Sequence, residues 1–400
     1  MPYKIKKVLI IVSGDKGMPA VNGGGVETLT QVIIDNSLFD DVDVVSEFNK
    51  RSFEESKRAK KGIRYLFVRN NGFVCLIKKA FWKVLSLLFK RPFGNSYIHA
   101  VGRKVNFKEY DLIISENGVC FGTFIRKYYS GLLILHLHND WLHKGVAFAE
   151  EYKNSFDQIW CISDWLKKRV DEIGGKTNTK TIYNCVDYSS FNIKKREKQR
   201  ALVRRKMGIS PDDFVFATCS RVVPEKGVLE SILAFKRFLG EAPHCRAKLV
   251  IIGDLSSNSP YIKSVRQEFC DNVLSFGWVS HEKVADALSA ADAVVMPSLA
   301  VFKFNECFNL TLIEATSLGL QAIVTDNGAM PEICFEPLSM IVSDDGNIVD
   351  SLSKSFSMSY ARRKLFIDIG ALQNHLKRFS IKNYCFSMIK SLEELDCDLK

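Results

Sequence analysis

The chain has 400 residues, of which 46% are hydrophobic and 25% charged, and it carries a formal net charge of +11 at pH 7. This composition is ordinary for a folded soluble protein, and the length favours two domains over one core. The first apolar run, Val8–Val12, is too short for a signal sequence or a membrane span. The eleven cysteines form no CxxC pair, which favours free thiols in a reducing compartment. We therefore expect a cytoplasmic protein.

Short apolar segments alternate with amphipathic ones along the chain. In the first half, the strand-like segments are KVLIIVSG, YDLIISENG, GLLILHLHND and FDQIWCISD, and the helical ones are GVETLTQVIIDNSL and SDWLKKRVDEIG. In the second half, the strand-like segments are DDFVFATCSRV, AKLVIIGD, NVLSFGWV, AADAVVMPS and QAIVTDNG, and the helical ones are KGVLESILAFKRFLG and SHEKVADALSAA. Buried strands separated by helices predict an α/β fold with parallel sheets covered on both faces. Two such series predict two Rossmann-like domains, with ligand sites at the carboxyl ends of the strands.

The highly charged segment NIKKREKQRALVRRKMGISPDDF indicates the boundary between these domains, with Pro211 just before the next strand. We expect an N-terminal domain over 1–187, a basic linker over 188–210 and a C-terminal domain over 211–375. The tail, 376–400, is helical in pattern.

A glycine-rich turn, NGGGVETL, follows the first strand and begins a helix. Gly23, Gly24 and Gly25 would let a ligand approach the backbone at the amino end of the helix, where free N–H groups favour anions. The motif is not GxGxxG, so it does not indicate a dinucleotide site. The alternative is a flexible turn with Glu27 as an acid in the first helical turn.

The segment LHLHND ends another strand. Because side chains alternate along a strand, His136 and His138 are expected on opposite faces, which disfavours a zinc pair. For His136, the pattern predicts a histidine of the core. His138 and Asp140 lie nearer the carboxyl end of the strand, where a site is expected.

Two further motifs lie in the C-terminal half. Arg221 and Lys226 in CSRVVPEKG could hold a diphosphate, or they could be solvated surface charges. In NECFNLTLIEATSLG, Glu306 precedes a helix that contains Glu314. The two carboxylates could accept hydrogen bonds from the hydroxyls of a sugar and a ribose; the alternative is one helix cap and one surface acid.

These motifs together resemble the family 4 glycosyltransferases of the GT-B fold. The segments NGGGVE, HLHND, SRVVPEKG, FGWVS, AADAVVMPS, ECFNLTLIEATSLG and DNGAMPEI occur in the order seen in that family, and the resemblance covers most of the chain. It implies two Rossmann-like domains whose parallel sheets face each other across a cleft. It also implies a C-terminal helix that crosses back to the N-terminal domain.

The resemblance also implies roles for individual residues. The residues implied in catalysis are Glu306, His138, Lys226 and Arg221. The residues implied in donor binding are Gly24, Gly25, Arg221, Lys226, Asn309, Leu310, Thr311 and Glu314. The residues implied on the acceptor side are His138, Asn139, Asp140 and Glu27. Cys307 and Asn309 stand where the family often has proline and glycine, which leaves the choice of sugar open.

The family generally transfers with retention of anomeric configuration and needs no metal, so we expect no cofactor and no metal ion. The two DxD sequences, Asp41–Asp43 and Asp396–Asp398, do not follow strong strand-like segments. Within the family, the motifs look most like enzymes that add N-acetylglucosamine or a hexose to the lipopolysaccharide core. The expected donor is UDP-N-acetylglucosamine or a UDP-hexose, and the acceptor a core oligosaccharide or lipid-linked glycan. Alternatives are another surface-polysaccharide transferase that uses a GDP- or dTDP-sugar, and a GT-B nucleotide-sugar epimerase.

The positive charge is concentrated in the N-terminal half. Fourteen Lys and Arg, and no Asp or Glu, stand between Glu55 and Glu109. The segment 75–93, CLIKKAFWKVLSLLFKRPF, has the pattern of a basic amphipathic helix, which favours contact with the inner face of the cell membrane. The alternative is a helix packed on the domain core. A nucleic-acid partner is not expected, because the charge lies beside an apolar helix and not on a recognition motif.

Overall fold

The computed structural model describes residues 5–13, 16–21, 23–69, 81, 82, 85, 88–90, 92–343 and 346–398. These residues form two parallel sheets with helices. The strands are β1 Lys7–Val12, β2 Asp41–Glu47, β3 Ile63–Val68, β4 Leu112–Glu116, β5 Leu132–Leu137, β6 Gln158–Cys161, β7 Asn178–Thr181, β8 Phe214–Cys219, β9 Ala247–Ile252, β10 Val273–Gly277, β11 Ala293–Met296, β12 Gln321–Thr325 and β13 Ser339–Val342.

The helices lie between and after these strands. They are α1 Gly25–Asp35, α2 Lys50–Ser56, α3 Ser96–Gly102, α4 Gly122–Ile125, α5 Ala149–Asn154, α6 Asp164–Asp171, α7 Ile193–Lys206, α8 Val228–Glu241, α9 Pro260–Gln267, α10 His281–Leu288, α11 Leu310–Ser317, α12 Met330–Ile333, α13 Ile348–Ala361, α14 Ile369–Lys377 and α15 Ile381–Asp398. Short 3-10 turns occupy Phe107–Glu109, Pro224–Lys226 and Val301–Lys303.

The first sheet has seven strands in the order β3-β2-β1-β4-β5-β6-β7, and every pairing is parallel. Its central strands are buried on both faces, which explains their continuous Val, Leu and Ile runs. From β1 the chain forms β2 and β3 on one side of β1, and it then returns to form β4 on the other side. The strand order therefore reverses between β1 and β4. A crevice at the carboxyl ends of the strands is expected at such a switch point.

The second sheet has six parallel strands in the order β10-β9-β8-β11-β12-β13. Its switch point lies between β8 and β11. Beneath the sheet, four fully buried phenylalanines pack edge to face or stacked: Phe216, Phe235, Phe238 and Phe356. This core fixes β8 against α8 and α13, and so fixes the loop that follows β8.

The chain divides into two compact units. One consists of Met1–Asn184 with Ile381–Lys400, and the other of Cys185–Ser380. Within the part of the chain that the structure describes, no helix is both long and apolar enough to cross a bilayer.

The predicted α/β fold with two Rossmann-like parallel sheets is confirmed. The sequence patterns indicated most strands but missed β2, β3 and β13. Within the segment expected as a basic linker, residues Ile193–Lys206 form helix α7. Most of the basic segment 75–93 lies outside the described residues.

Candidate active site

In the C-terminal unit, a buried ion pair lies at the switch point of the sheet. The loop after β8 carries Lys226, and the loop after β11 carries Glu306. The Lys226 ammonium contacts Oε2 of Glu306, and both side chains are largely buried. The Ser298 hydroxyl donates to the same carboxylate oxygen at 2.7 Å. The two predicted residues, eighty positions apart in sequence, are therefore brought together.

The backbone around Glu306 is fixed by the loop after β12. The Asn327 side chain accepts from the N–H of Glu306 at 3.1 Å, and the N–H of Ala329 donates to the Glu306 carbonyl at 2.7 Å. Gly328 has a φ of 62°, and a Cβ there would lie 2.2 Å from the Glu306 carbonyl oxygen. Only glycine allows this approach. The loops after β8 and β12 thus fix the side chain and the backbone of Glu306 at the carboxyl edge of the sheet.

Beside this pair, a cavity of about 630 Å³ opens at the ends of β8, β9 and β10. It is lined by Cys219, Ser220, Arg221, Val222, Val223, Ile252, Gly253, Asp254, Ser257, Ser259, Ile262, Trp278, Val279, Val284 and Thr311. Arg221 lines it, with its side chain 70% exposed and an ion pair to Glu225 at 3.6 Å. Trp278 is 71% exposed. The cavity therefore offers an exposed cation and an aromatic face.

The amino end of α11 faces this cavity through Thr311. Asn309 is the N-cap of this helix, and its side chain accepts from the N–H of Leu312 at 3.1 Å. The preceding N–H groups, those of Leu310 and Thr311, belong to the first turn and have no partner inside the helix by its geometry. Together with the helix dipole, they favour an anion at this end. Asparagine replaces the expected glycine here because a capping side chain suits this position.

The second predicted acid, Glu314, is buried on α11 and pairs with a histidine that the sequence analysis missed. Nε2 of His281, at the start of α10, lies 2.7 Å from Oε1 of Glu314. This hydrogen bond raises the pKa of His281 above its usual range, although burial opposes the shift. Burial, and then the charge of Glu314, raises the pKa of the Cys219 thiol to about 12. The Glu314 carboxylate thus lies beside a residue that lines the cavity.

In the N-terminal unit, the switch point between β1 and β4 carries a second buried cluster. Glu116 is the last residue of β4. Its Oε2 lies 2.7 Å from Nε2 of His138 and 3.1 Å from Nδ1 of His136. The expectation that the two histidines point to opposite faces is wrong. β5 ends at Leu137, so His138 lies beyond the strand and its ring turns towards that of His136, with centroids 4.2 Å apart.

The charges within this cluster follow from its burial. Burial alone would raise the pKa of Glu116, but the charge of His136 and hydrogen bonds from both rings lower it to about 2. Burial, and then the charge of His136, lowers the pKa of His138 to about 4, opposed by Glu116. Near neutral pH, Glu116 is therefore an anion and His138 a neutral ring. These ligand atoms all lie within 4.8 Å of one another, which is a spacing that a metal ion could also use.

The other predicted residues of this unit have partners of their own. Gly24 begins α1 with a φ of 113°, and a Cβ there would lie 2.2 Å from a carboxylate oxygen of the buried Glu27. Glu27 therefore folds back over the glycine turn. Asp140 accepts from Nε of Arg169 at 2.7 Å. Asn139 accepts, through its carbonyl, from the N–H of Trp141 at 2.7 Å.

Four residues that sequence reasoning missed stand at these sites: Glu116, Trp278, His281 and Ser298. Each ends a strand, follows one within two residues, or begins the following helix, which is the position where ligands meet parallel sheets. The same position indicated His138 and Arg221. Trp278 also has more than half of its surface exposed, which one sequence does not reveal.

Comparison with known proteins shows which families and structures this chain is similar to. Residues 199–354 match the family described as Glycosyl transferases group 1. An uncharacterized glycosyltransferase of Methanocaldococcus jannaschii is 27% identical over 194 residues, which are 46% of this chain and 47% of that protein. The lipopolysaccharide 1,2-N-acetylglucosaminetransferase of Salmonella typhimurium is 24% identical over 277 residues, 67% of this chain and 68% of that protein. The chain thus spans about half to two thirds of these relatives.

One solved structure extends the likeness in fold to nearly the whole chain. The crystal structure of Anabaena Alr3699/HepE in complex with UDP and glucose has a TM-score of 0.72 to this protein, at 18% identity. The superposition covers 97% of this chain and 99% of that one.

Proposed function

We propose that the protein is a glycosyltransferase of the GT-B fold that transfers a sugar from a nucleotide sugar, with retention of configuration. The match of residues 199–354 to the family described as Glycosyl transferases group 1 supports this proposal. The favoured donors are UDP-N-acetylglucosamine and UDP-hexoses. The favoured acceptors are a lipopolysaccharide core oligosaccharide and a lipid-linked glycan. The observation that carries the proposal is the buried Lys226–Glu306–Ser298 cluster beside a cavity at the switch point of the C-terminal sheet.

Donor binding is the first step of the proposal. The base would enter the cavity beside Trp278, and the diphosphate would lie at the amino end of α11, near the N–H groups of Leu310 and Thr311. Arg221 has the exposure needed to move onto the phosphates. The hydroxyls of the ribose would bind the Glu314 carboxylate, which accepts hydrogen bonds in its anionic form.

The departing diphosphate gains charge as the glycosidic bond breaks. Lys226 and Arg221 would stabilise that charge, since fixed cations act most strongly where charge develops. This supports transfer without a metal ion. Glu306 already accepts from Lys226 and Ser298. A carboxylate held this way suits binding of the donor hydroxyls better than nucleophilic attack. In the proposed front-face path, the donor phosphate takes the proton of the acceptor hydroxyl.

The N-terminal unit would bind the acceptor through His138, Asn139 and Asp140, with Gly24, Gly25 and Glu27 in the neighbouring turn. Its excess of basic residues suits a phosphorylated oligosaccharide or an anionic lipid surface. The proposed location is cytoplasmic, at the inner face of the cell membrane. The relative from Salmonella typhimurium supports a lipopolysaccharide acceptor by its name alone.

The test begins with thermal stabilisation of the purified protein by UDP-, GDP- and dTDP-sugars, without added metal. We expect UDP-N-acetylglucosamine or UDP-glucose to raise the melting temperature of the wild type and to lose most of this effect in Arg221→Ala. Arg363→Ala is the control, because Arg363 is an exposed arginine of the same unit that does not line the cavity. Stabilisation by a GDP- or dTDP-sugar instead would move the protein to another polysaccharide pathway.

The second stage uses the stabilising donor with and without acceptor oligosaccharide. A transferase releases nucleotide in proportion to acceptor and joins the sugar with retained configuration, which proton NMR of the product reports. Conversion of the donor alone into an epimer would identify the alternative epimerase. Failure of every nucleotide sugar both to stabilise the protein and to react would contradict the proposal.

A further inference from the structure

Glu116 holds His138 by its ring, and the residue after Glu116 holds His138 by its backbone. Oε2 of Glu116 lies 2.7 Å from Nε2 of the ring. The Asn117 side chain accepts from the N–H of His138 at 3.1 Å. Asn117 adopts a left-handed φ of 62°, and its own N–H donates to the His136 carbonyl at 2.8 Å. Glu116 and Asn117 therefore fix both the ring and the backbone of His138.

These contacts decide which nitrogen of His138 carries the proton. A carboxylate can only accept hydrogen bonds, so a neutral imidazole beside Glu116 must keep its proton on Nε2. The other nitrogen, Nδ1, then carries a lone pair. Nδ1 is buried and has no hydrogen-bond partner among the described residues. Burying an acceptor without a partner is unfavourable, so the buried Nδ1 points to a group that donates to it.

We propose that Glu116 is a positioning residue that locks His138 as the Nε2–H tautomer, so that Nδ1 accepts a hydrogen bond from a hydroxyl of the sugar substrate. The inference rests on the proposed function, because that function identifies the hydrogen-bond donor as a hydroxyl of a sugar. His136 completes the cluster by presenting its Nδ1 to the same carboxylate.

Fixing the ring has a consequence for specificity. A protonated histidine at this point would select a hydrogen-bond acceptor, whereas a lone-pair nitrogen selects a hydrogen-bond donor such as a hydroxyl. Trp160 and Tyr384 pack against His136, with ring centroids 5.9 and 6.2 Å away. These contacts keep the His136 ring from rotating, so the Glu116 carboxylate stays hydrogen-bonded to both histidine rings.

The first experiment reads the tautomer directly. Two-bond ¹H–¹⁵N correlation spectra of ¹⁵N-histidine-labelled wild type distinguish a protonated from an unprotonated ring nitrogen. The chain has seven histidines, few enough for assignment of His138 by its loss in His138→Gln. We expect Nε2 protonated and Nδ1 unprotonated at pH 7. A protonated Nδ1 would overturn the proposal without any change at Glu116, even if no variant of Glu116 folds.

The second experiment compares Glu116→Gln with a matched buried carboxylate. Asp43→Asn is the control, because Asp43 is equally buried in the same sheet but pairs with Arg64 and Tyr110. A glutamine amide can donate to Nε2 and so permits the other tautomer. We expect Glu116→Gln to mix the His138 tautomers and lower acceptor kcat/KM about 100-fold. Asp43→Asn should do neither, and Glu116→Asp should retain the wild-type tautomer with a smaller loss.

The remaining outcomes separate the inference from the proposed function. If the tautomer is as expected but the wild type transfers no sugar, the proposed function fails and the positioning role of Glu116 stands. If Glu116→Gln leaves the tautomer unchanged, the positioning role fails whatever the activity. If mass spectrometry of the purified protein finds one equivalent of zinc that Glu116→Gln loses, the cluster is a metal site and the proposal is overturned.

Discussion

At the scale of single residues, the pair formed by Lys226 and Glu306 carries the proposed chemistry. Both side chains are largely buried, and the Lys226 ammonium also lies 4.9 Å from the centroid of the Phe304 ring. Lys226→Ala should lower kcat about 10²- to 10³-fold, because it removes a fixed cation from the place where the diphosphate gains charge. Steady-state kinetics with the donor found in the thermal screen measures this loss, and circular dichroism checks the fold.

The matched control for this change is Lys303→Ala. Lys303 lies three residues before Glu306, in the same loop, but is exposed to solvent. The Lys303→Ala variant loses the same charge as Lys226→Ala, but its kcat should stay within about twofold of the wild-type value, because exposed charges are strongly screened. If Lys226→Ala kept the wild-type kcat, the assigned role of this ion pair would be wrong.

We predict that His281 makes nucleotide-sugar binding sensitive to pH. Its ring is 61% exposed, but its Nε2 holds the Glu314 carboxylate at 2.7 Å. Because its folded pKa is raised, the pair stabilises the fold fully below about pH 6.5, the unfolded value, and loses that stabilisation as the pH rises through the folded pKa. A ribose that binds Glu314 must compete with this pair. Nucleotide-sugar affinity should therefore weaken as the pH falls.

Calorimetric titration between pH 6 and 8.5 measures this effect. The change in affinity with pH should be clearly smaller in His281→Gln than in the wild type, since glutamine does not titrate. The control is His244→Gln, a histidine of the same unit outside the cavity lining. Equal pH dependence in wild type and His281→Gln would show that the His281–Glu314 pair does not compete with the ribose.

At the scale of secondary structure, helix α7 uses part of its charge inside the protein. Arg196, Arg200 and Arg204 all pair with Asp292, which lies just before β11. Arg204 is almost fully buried and also donates to the Ala290 carbonyl at 2.9 Å and the Asp213 carbonyl at 2.9 Å. This helix therefore anchors the loops at the amino ends of β8 and β11.

Removing the buried Arg204 should cost far more stability than removing the more exposed Arg200. Arg204→Ala should lower the free energy of unfolding by about 3–5 kcal/mol, because it removes the most buried of the three cations that pair with Asp292 and leaves the Ala290 and Asp213 carbonyls without their donor. Arg200→Ala, which loses the same partner from a more exposed position, should cost about 1 kcal/mol or less. Urea denaturation followed by circular dichroism compares the two. Similar losses would mean that burial does not decide the strength of these ion pairs.

Whether the sequence predicts an element depends on whether its buried side chains are apolar or are charged groups with partners elsewhere in the fold. Strands such as β1 and β9 are continuous apolar runs, so their pattern was sufficient. β2 was missed because Asp43 interrupts its valines, and only the folded chain supplies the Arg64 and Tyr110 partners that permit its burial. Likewise, the charges of α7 indicated a boundary, since no local pattern reveals Asp292 as their partner.

The site was predictable to the same extent. Motif and position along the strands indicated Lys226, Glu306, Glu314 and His138, because each stands at the carboxyl edge of a sheet. Their partners were not predictable. His281 and Glu116 contact Glu314 and His138 from other elements, and Ser298 contacts Glu306 only through the path of the loop that they share. Alternation along β5 gave the wrong faces for its two histidines because the rule ends where the strand ends.

At the scale of the whole molecule, the unequal distribution of charge suggests how the protein meets its acceptor. The run from Glu55 to Glu109 has fourteen basic residues and no other acid. Within it, the described side chains of Phe81, Leu88 and Phe89 are exposed, with Leu88 at 73%. Exposed apolar side chains among cations match the two contributions that hold a protein on an anionic bilayer. The proposed acceptors, if lipid-linked, lie at that surface.

The double substitution Leu88→Ser with Phe89→Ser tests this membrane contact. It should weaken binding to phosphatidylglycerol vesicles about tenfold or more, since burying one leucine side chain contributes about 1.5–3 kcal/mol. Phe366→Ser is the control, because Phe366 is 87% exposed but belongs to the C-terminal unit. Raising the salt from about 0.1 to 1 M should weaken wild-type binding, because it shortens the screening length from about 10 to 3 Å. Sedimentation with vesicles measures both effects, and equal binding of the wild type and the double variant would exclude this segment from the contact.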